Sequence, residues 1–542
     1  MKKPMQNEHW GSRLGVVLAV SGSAVGLGNF LRFPAQAASN GGGAFMIPYL
    51  IALVAVAIPL ASAEWALGRY GGRRGMHSPM GIYYVASGRR PFFGVCGGGL
   101  TFTAFVINMY YLFVESWCAL YALQYLGGLL APLGLGFSLF PNQAPGLSLD
   151  SAAAYQDAFL ATTGATRDRA LFGANGASVL GVFALCAIAN FWLIYRGVSK
   201  GIERFCKAVA PLILICSIII IFRVLTLDNP TGKEGQSLLD GLGFMWNPQN
   251  AAETLKKPSV WLAATSQIFF STSICTSAVL CYGSYVQAKR DVALSSLTST
   301  MTNEFCEVCL GGLMIVPPAI MFLGAAASEK IGSVFSLGFV ILPNVFGQMP
   351  AGQFFGFAFF ALLFFAAITS SISQLQPASA FLEEAFGWTR GKRVLAVALA
   401  ELTGTFVVCW FTEGLVALDA FDFWSANFMP FLCALVQTTL IVFFLGRKKL
   451  RDELDSGAII KTSKYVFPAI AFVSLPYLAI VFGFWLYGEF VNKCKEFAAK
   501  PGSLTSEIFL LAVFAALVIV SIFTVLRWKR EERLGKEKGA NL

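Results

Sequence analysis

The sequence predicts an all-α membrane protein of twelve transmembrane helices, arranged as a 5+5 inverted repeat with helices 1 and 6 broken. Three observations carry this. Of the 542 residues, 56% are hydrophobic and 13% charged, against about 25% charged in soluble chains, and mean hydropathy is +0.65. The apolar runs reach the roughly 20 residues a spanning helix needs and lack the ~10-residue alternation of barrel strands. The first and sixth runs are polar at their centres.

In order, the spans fall at 12–37, 42–69, 92–126, 178–195, 205–226, 259–286, 293–325, 352–384, 394–411, 416–445, 465–487 and 507–527. Lysine and arginine mark cytoplasmic loops. Arg69, Arg73, Arg74, Arg89 and Arg90 follow span 2, and Arg196, Lys200, Arg204 and Lys207 follow span 4. Lys289 and Arg290 follow span 6, Arg390, Lys392 and Arg393 follow span 8, and Arg447, Lys448, Lys449 and Arg451 follow span 10. With Arg527 to Arg533 in the tail, all lie on one side if both termini are cytoplasmic. This topology accounts for the net charge of +10 without a nucleic-acid partner. The opposite side carries longer loops at 127–176, 228–258 and 326–351, the last read as a hairpin folding back on the protein. None holds a soluble domain. The chain is one domain over 1–542, with repeats at 10–227 and 257–445 and two additional helices at 465–527.

Composition also narrows the chemistry. Most of the 12 cysteines lie inside apolar runs, where cysteine behaves as a small hydrophobe. Cys306 and Cys309 form one C-x-x-C without the second pair a zinc site needs. The two histidines, His9 and His77, sit near basic or polar ends, and no nucleophile–base pair appears, so the chain does not read as an enzyme. Lys2, Lys3 and Ala35-Gln36-Ala37 imitate a signal peptide, but Asn29 and Arg32 interrupt the run between them. Gly26-Leu27-Gly28 lacks the third glycine and preceding strand of a nucleotide fingerprint.

The broken spans point to a function. Span 1 holds "SGSAVGLGNFLRFP" (Ser21 to Pro34) and span 6 "SQIFFSTSICTSAVLCYGSY" (Ser266 to Tyr285). Non-helical backbone survives in a bilayer only inside protein or beside a cavity. Paired interrupted segments in two halves of a chain mark a transporter site. Because each set holds five spans, the second set enters from the opposite side. Gly22, Gly26 and Gly28 let span 1 unwind. Freed carbonyls then suit a cation and freed amides an anion, which fits a carboxylate substrate beside sodium. A glycine-packed helix interface is the structural alternative.

At these residues the chain resembles the neurotransmitter:sodium symporters, close to the bacterial leucine transporter. "SAVGLGNFLRFP", "NGGGAFMIPY", "EWALGRY", "YYLFVESW", "GVSKGIERF", "NEFCEVCLGG", "TSSISQLQP" and "DFW" carry the resemblance, from about Glu8 to span 12. Broken spans are a known feature of this same family, so the two lines of argument are not independent.

The resemblance implies two sodium ions. The first would be held by the Ala24 carbonyl, Asn29, Ser271, Asn303 and the substrate carboxylate. The second would be held by the carbonyls of Gly22, Val25 and Ala366 with the hydroxyls of Thr369 and Ser370. It implies a substrate carboxylate on the amides near Leu27 and Gly28 and on the Tyr111 hydroxyl. The amino group would lie on carbonyls around Ala24, Phe270 and Ser271, with Ser273 nearby. Ile107, Tyr111, Phe270, Thr276, Ser370 and Gln374 would line the side-chain pocket. Tyr111 and Phe270 would close it, with Arg32 and Asp422 as an outer gate.

The chain also departs from the family. Thr276 and Gln374 fall where the leucine-transporting relative is apolar, which implies a substrate with a polar group, or a larger one leaving room for water. Cys275 and Ser277 fall where glycines are common. Glu307, with Tyr49, Gln267 and Ser271, falls at the chloride site of chloride-dependent relatives. A fixed carboxylate there implies transport without chloride, with a proton carried back on Glu307 as a further option. Glu64 is read as satisfying freed amides; Glu115 has no assigned role. Asn7 replaces the basic partner expected for Glu384 at the inner gate, where Lys2, Lys3 or Arg13 could substitute. The expected function is sodium-coupled symport of a neutral amino acid across the plasma (inner) membrane by alternating access. Spans 1, 2, 6 and 7 would rock against 3, 4, 8 and 9. The alternative is a membrane sensor that binds the amino acid without moving it. Composition and motifs leave the oligomeric state open.

Overall fold

The computed structural model describes residues 10, 20–140, 143–173, 176–227, 229–324, 334–461 and 463–540. Among them every regular element is helical, and ten helices are long and apolar enough to span a bilayer. The two expected spans missing from that set are the first and sixth; both are interrupted, and the first is described only from residue 20. Span 1 is helical at 20–24, bends at Val25 and Gly26, and resumes through Gly28–Arg32 and Phe33–Ser39. Span 6 runs as Pro258–Thr272, breaks, and resumes as Ala278–Ser284. The architecture fits the twelve-helix reading, with the breaks where the helices of spans 1 and 6 stop and resume.

The helices form two groups. Spans 1, 2, 6 and 7 pack on one another, and so do spans 3, 4, 8 and 9. Spans 3 and 8 make the most extensive pair. These two groups match the rocking and fixed sets expected from the sequence. The outer faces of spans 4, 5, 9, 11 and 12 expose large apolar side chains, among them Leu185, Ile188, Phe222, Leu399, Phe484 and Phe523. Such continuous exposure suits hydrocarbon rather than water. Of the 326–351 hairpin, the described arm Val334–Gln348 is an apolar helix. It lies against span 3, where the Tyr121 hydroxyl donates to Phe339 O at 3.2 Å, and against span 1, where Gly338 meets Leu31.

Several buried polar groups are paired across spans, as a low-dielectric interior favours. Glu115 accepts from Asn190 Nδ2 at 2.8 Å and from Ser371 Oγ at 2.7 Å, joining spans 3, 4 and 8. On the basic face, the fully buried Arg69 of span 2 donates to Glu453 at 3.0 Å. It also donates to the carbonyl of Arg290 at 2.5 Å. The helix after span 10, Gly446–Asp455, is thereby pinned beneath spans 2 and 6.

Candidate functional site

The break in span 1 is a redistribution of backbone hydrogen bonds. In an unbroken helix Gly26 N would donate to Gly22 O and Leu27 N to Ser23 O. Here Gly26 N donates to Asn29 Oδ1 at 2.9 Å, and Leu27 N donates to the Tyr111 hydroxyl at 3.0 Å. Two carbonyls, Gly22 and Ser23, thus lose their helical donors. Ser23 O is taken by the hydroxyls of Ser370 at 3.0 Å and Ser273 at 3.3 Å. Glycine is required at the bend by close approach. A Cβ on Gly26 would stand 2.4 Å from Ser370 Oγ, and one on Gly28 would stand 2.8 Å from the Phe270 ring.

Span 6 breaks without glycine. Ser273, Cys275 and Ser277 all take left-handed backbone angles, with φ of 55°, 58° and 79°. Each costs an L-residue about 1–3 kcal/mol, so surrounding contacts hold the strain. One is Glu64, whose Oε2 accepts from Cys275 N at 3.1 Å, in keeping with the role expected of it. Another is the Ser277 hydroxyl, which donates to Leu100 O at 3.1 Å.

Between the two breaks lies a cavity lined by Ser23, Ala24, Gly26, Gly28, Ile107, Tyr111, Phe270, Ser273, Thr276, Ser370 and Gln374. Nine of the expected substrate-site residues meet here; Leu27 faces the vestibule above, and Ser271 lies behind Phe270 toward Asn303. The cavity is about 20 Å³, room for about one water molecule, so the site is contracted. Gln374 Oε1 is buried without a hydrogen-bond partner among the described residues. The Thr276 hydroxyl donates to Ser273 O at 2.7 Å.

Behind the cavity, oxygens converge. One atom of the Asn303 side-chain amide stands 3.2 Å from Ala24 O and 3.0 Å from Ser271 O. Placed as oxygen, it is repelled by both carbonyls unless a cation lies among them; placed as nitrogen, it donates to both. The nitrogen orientation satisfies both carbonyls within the protein; turned to oxygen, Asn303 would join them as three neutral oxygens of the kind that suit a hard cation such as sodium. Asn29 departs from expectation. Its oxygen serves Gly26 N, and its nitrogen donates to Asn303 Oδ1 at 2.8 Å, so ligation by Asn29 requires its amide to turn.

Glu307 adjoins this point. It accepts from Gln267 Nε2 at 2.7 Å, Asn29 Nδ2 at 3.3 Å and Asn303 Nδ2 at 3.4 Å. The other expected members, Ser271 and Tyr49, also hydrogen-bond with Glu307, and the Tyr49 hydroxyl is shared with Glu304, one turn earlier on span 7, to which it donates at 2.6 Å. Glu304 lies inside a motif read for other residues and received no role from the sequence.

At the second expected cation site, spans 1 and 8 touch. A Cβ on Gly22 would meet Thr369 Cβ at 3.7 Å. The Thr369 hydroxyl donates to Phe365 O and Ala366 O at 3.0 Å each, and Ser370 Oγ donates to Ser23 O. A hydroxyl that donates its proton keeps lone pairs, so both can still face a cation with the carbonyls of Gly22, Val25 and Ala366.

Above the cavity opens a vestibule of about 440 Å³, lined by Arg32, Tyr111, Phe270 and Asp422 among others. Tyr111 and Phe270 line both spaces, so they form the partition. The Arg32 guanidinium carbon lies 4.4 Å over the Phe270 ring. Its nitrogen comes to 3.6 Å from Asp422, short of a hydrogen bond. Asn427 bridges the two, accepting from Arg32 at 2.7 Å and donating to Asp422 at 3.0 Å. Tyr110 holds Asp422 from the other side at 2.7 Å. Neither Asn427 nor Tyr110 was legible as a gate residue, since each acts on a neighbour rather than on substrate.

At the opposite end Glu384 is engaged by a loop. It accepts from His77 N at 2.5 Å and Ser78 N at 2.8 Å, and from the Ser78 hydroxyl. The His77 ring stacks 4.6 Å from Tyr285, and Tyr285 accepts from Gln376 at 2.9 Å. Asn7, Lys2, Lys3 and Arg13, the other residues considered for this gate, lie outside the described residues.

Comparison with known proteins agrees with the geometry. The sequence pattern of the sodium:neurotransmitter symporter family matches residues 7–132 and 171–531. The chain is 29% identical over 467 residues to an uncharacterized sodium-dependent transporter of Methanocaldococcus jannaschii, covering 84% of this chain and 86% of that one. It is 26% identical over 512 residues to the mouse (Mus musculus) sodium-dependent neutral amino acid transporter B(0)AT3, covering 82% and 79%. The crystal structure of MhsT in complex with L-phenylalanine superposes with a TM-score of 0.72 at 27% identity, covering 88% of this chain and 99% of that one. On the match of motifs and fold together, this multi-pass membrane protein belongs to the sodium:neurotransmitter symporter family.

Proposed function

We propose that the protein carries out sodium-coupled symport of a neutral amino acid into the cell, with two sodium ions and without chloride. The observation that carries this is the convergence of Ala24 O, Ser271 O and Asn303 at one point between two opposed helix breaks. A sodium ion there would cancel the charge of a substrate carboxylate that replaces Tyr111 as partner of the Leu27 amide. The family and the names of the relatives support an amino-acid substrate. The partition of Tyr111 and Phe270 supports entry from the vestibule, with Phe270 swinging aside to enlarge the contracted cavity. Alternating access would move spans 1, 2, 6 and 7 against 3, 4, 8 and 9, within repeats at 10–227 and 257–445. Both termini would lie on the cytoplasmic face.

The lone acceptor of Gln374 supports a substrate whose side chain carries a donor, such as serine, threonine, glutamine or tyrosine. An acceptor left unpaired costs about 1–3 kcal/mol. Leucine and valine should therefore compete roughly five- to a hundredfold less well, and Gln374→Ile should narrow or reverse that gap. Equal or better competition by leucine at the wild-type site contradicts the substrate reading.

The test of the whole proposal is uptake into proteoliposomes under an inward sodium gradient, with chloride replaced by gluconate. Accumulation that follows the sodium gradient and survives the replacement is expected. Sodium-dependent binding without accumulation identifies a sensor instead.

A further inference from the structure

Span 9 carries an acid that neither the transport site nor the gates use. Glu401 is fully buried and lies against Asn108 of span 3, itself fully buried. At 1.5 Å per residue, Glu401 is roughly 15 Å from either end of the helix Arg390–Trp410, near the middle of the bilayer. Neither oxygen of Glu401 makes a well-formed hydrogen bond among the described residues, and neither does the oxygen or the nitrogen of Asn108. Four polar side-chain atoms thus meet with their hydrogen bonds open.

Their chemistry says what completes them. An ionised carboxylate only accepts, and a carboxamide offers one oxygen and one NH2. In that state Asn108 Nδ2 serves one oxygen of Glu401, while Asn108 Oδ1 has no donor in the pair. One proton on the other oxygen of Glu401 supplies that donor and closes a ring of two hydrogen bonds. It also removes a buried charge, which is costly without a partner. A water molecule would answer the atoms but not the charge. A hard cation gathers about six oxygens or more, and the pair offers fewer. Other ionisable groups lie elsewhere. Along span 9, Arg393 is paired with Glu383, and Cys409 lies two turns on. On span 3, Glu115 is held by Asn190 of span 4 and Ser371 of span 8, and Cys118 and Cys186 face Glu115. Span 8 brings Glu383 and Glu384 at its inner end, span 4 brings Tyr195 and Arg196 at its own, and Val416–Asp422 brings Asp419 and Asp422 in the vestibule. None of these charges acts on Glu401.

We propose that Glu401 and Asn108 form the site of a resident proton, a neutral carboxyl ring-bonded to a carboxamide, which fastens span 9 to the part of span 3 that lines the substrate cavity. Asn108 follows Ile107 and precedes Tyr111 by three residues, and both of those line that cavity. The next residues of the two spans are fastened as well. The Thr405 hydroxyl donates to Met109 O at 2.6 Å, and Gly404 packs so closely on Met109 that a Cβ there would collide with it. Spans 3 and 9 belong to the same packed group, so the proton stays in place through the transport cycle, unlike one carried on Glu307. The ring is complete at low pH and is lost as pH rises through the titration of Glu401, so amino-acid binding weakens toward alkaline pH.

Glu401→Gln tests this, because glutamine forms the same ring without a proton: its amide donates to Asn108 Oδ1 and its oxygen accepts from Asn108 Nδ2. Infrared difference spectra of the purified wild type against Glu401→Gln at neutral pH are expected to show one protonated-carboxyl band, shifted in deuterium oxide, that the variant lacks. Glu401→Gln should melt no lower than the wild type and should lose the alkaline fall in amino-acid binding. Glu401→Ala leaves Asn108 unanswered and should melt several degrees lower. The double variant Asn108→Asp, Glu401→Gln moves the acid to span 3 and should regain the band. A folded Glu401→Gln protein with no band lost overturns the proposal, whether water or a cation then completes the pair. So does a Glu401→Gln protein that melts as low as Glu401→Ala, because a neutral acid and an amide would then not be interchangeable there.

Discussion

A methyl group on Gly26 would stand 2.4 Å from Ser370 Oγ and 2.9 Å from the Tyr111 hydroxyl, in the cavity proposed to hold the substrate. Overpacking costs about 1–3 kcal/mol, and 1.4 kcal/mol is tenfold in affinity. Gly26→Ala should therefore weaken amino-acid binding by about tenfold or more in equilibrium binding, while the protein still inserts and purifies as a monodisperse species. Glu307 makes the second prediction at this scale. In the proposed function Glu307 stands in for chloride among Gln267, Asn29 and Asn303, so Glu307→Ser should make uptake depend on chloride; uptake that stays indifferent to gluconate replacement contradicts the role proposed for it. Much of this site was legible because its residues lie in contiguous motifs around the breaks. The partners were not. Glu115 stood out as an intramembrane carboxylate, but Asn190 and Ser371 lie 75 and 256 residues away in sequence, and only folding brings them together. The orientation of Asn29 was hidden for a different reason: residue type fixes that it carries both an oxygen and a nitrogen, and the local bend decides which one faces the ion.

At the scale of elements, the two breaks differ in kind. Span 1 unwinds where glycine allows close approach, a cue present in its sequence. Span 6 unwinds at Ser273, Cys275 and Ser277, three L-residues at positive φ; its polar centre gave the place but not the strain, because Glu64 and Leu100 supply the restraint from elsewhere. The inner end of span 8 was legible only in part. Glu384 carried the expectation of a gate, and the partners it finds are backbone amides of the loop at His77 and Ser78, which no residue type announces. That pairing makes a prediction. Glu384→Ala removes the acceptor for both amides and the Ser78 hydroxyl, so the inner end should open more often. Labelling of Cys281, buried in the second half of span 6, by an impermeant maleimide from the cytoplasmic side should rise several-fold with the other cysteines replaced. An unchanged rate separates Glu384 from gating.

For the molecule as a whole, apolar run lengths and the lysine–arginine bias were enough to lay out twelve spans, because a bilayer imposes both rules on any helical chain. The grouping of spans 1, 2, 6 and 7 apart from 3, 4, 8 and 9 is borne by packing; the proposed second ion site and the contacts of Tyr111, Ser370 and Gln374 lie across the seam between groups, and the proposed first ion site lies within spans 1, 6 and 7 beside the breaks. The proposal stands on one dependence: sodium completes the oxygens of Ala24, Ser271 and Asn303 beside the breaks, so the amino acid binds only with it. Equilibrium binding of a labelled neutral amino acid to the purified protein, in sodium chloride against potassium chloride at equal ionic strength, measures this directly. Saturable binding in sodium that disappears in potassium is the predicted result; equal binding in both salts would contradict it.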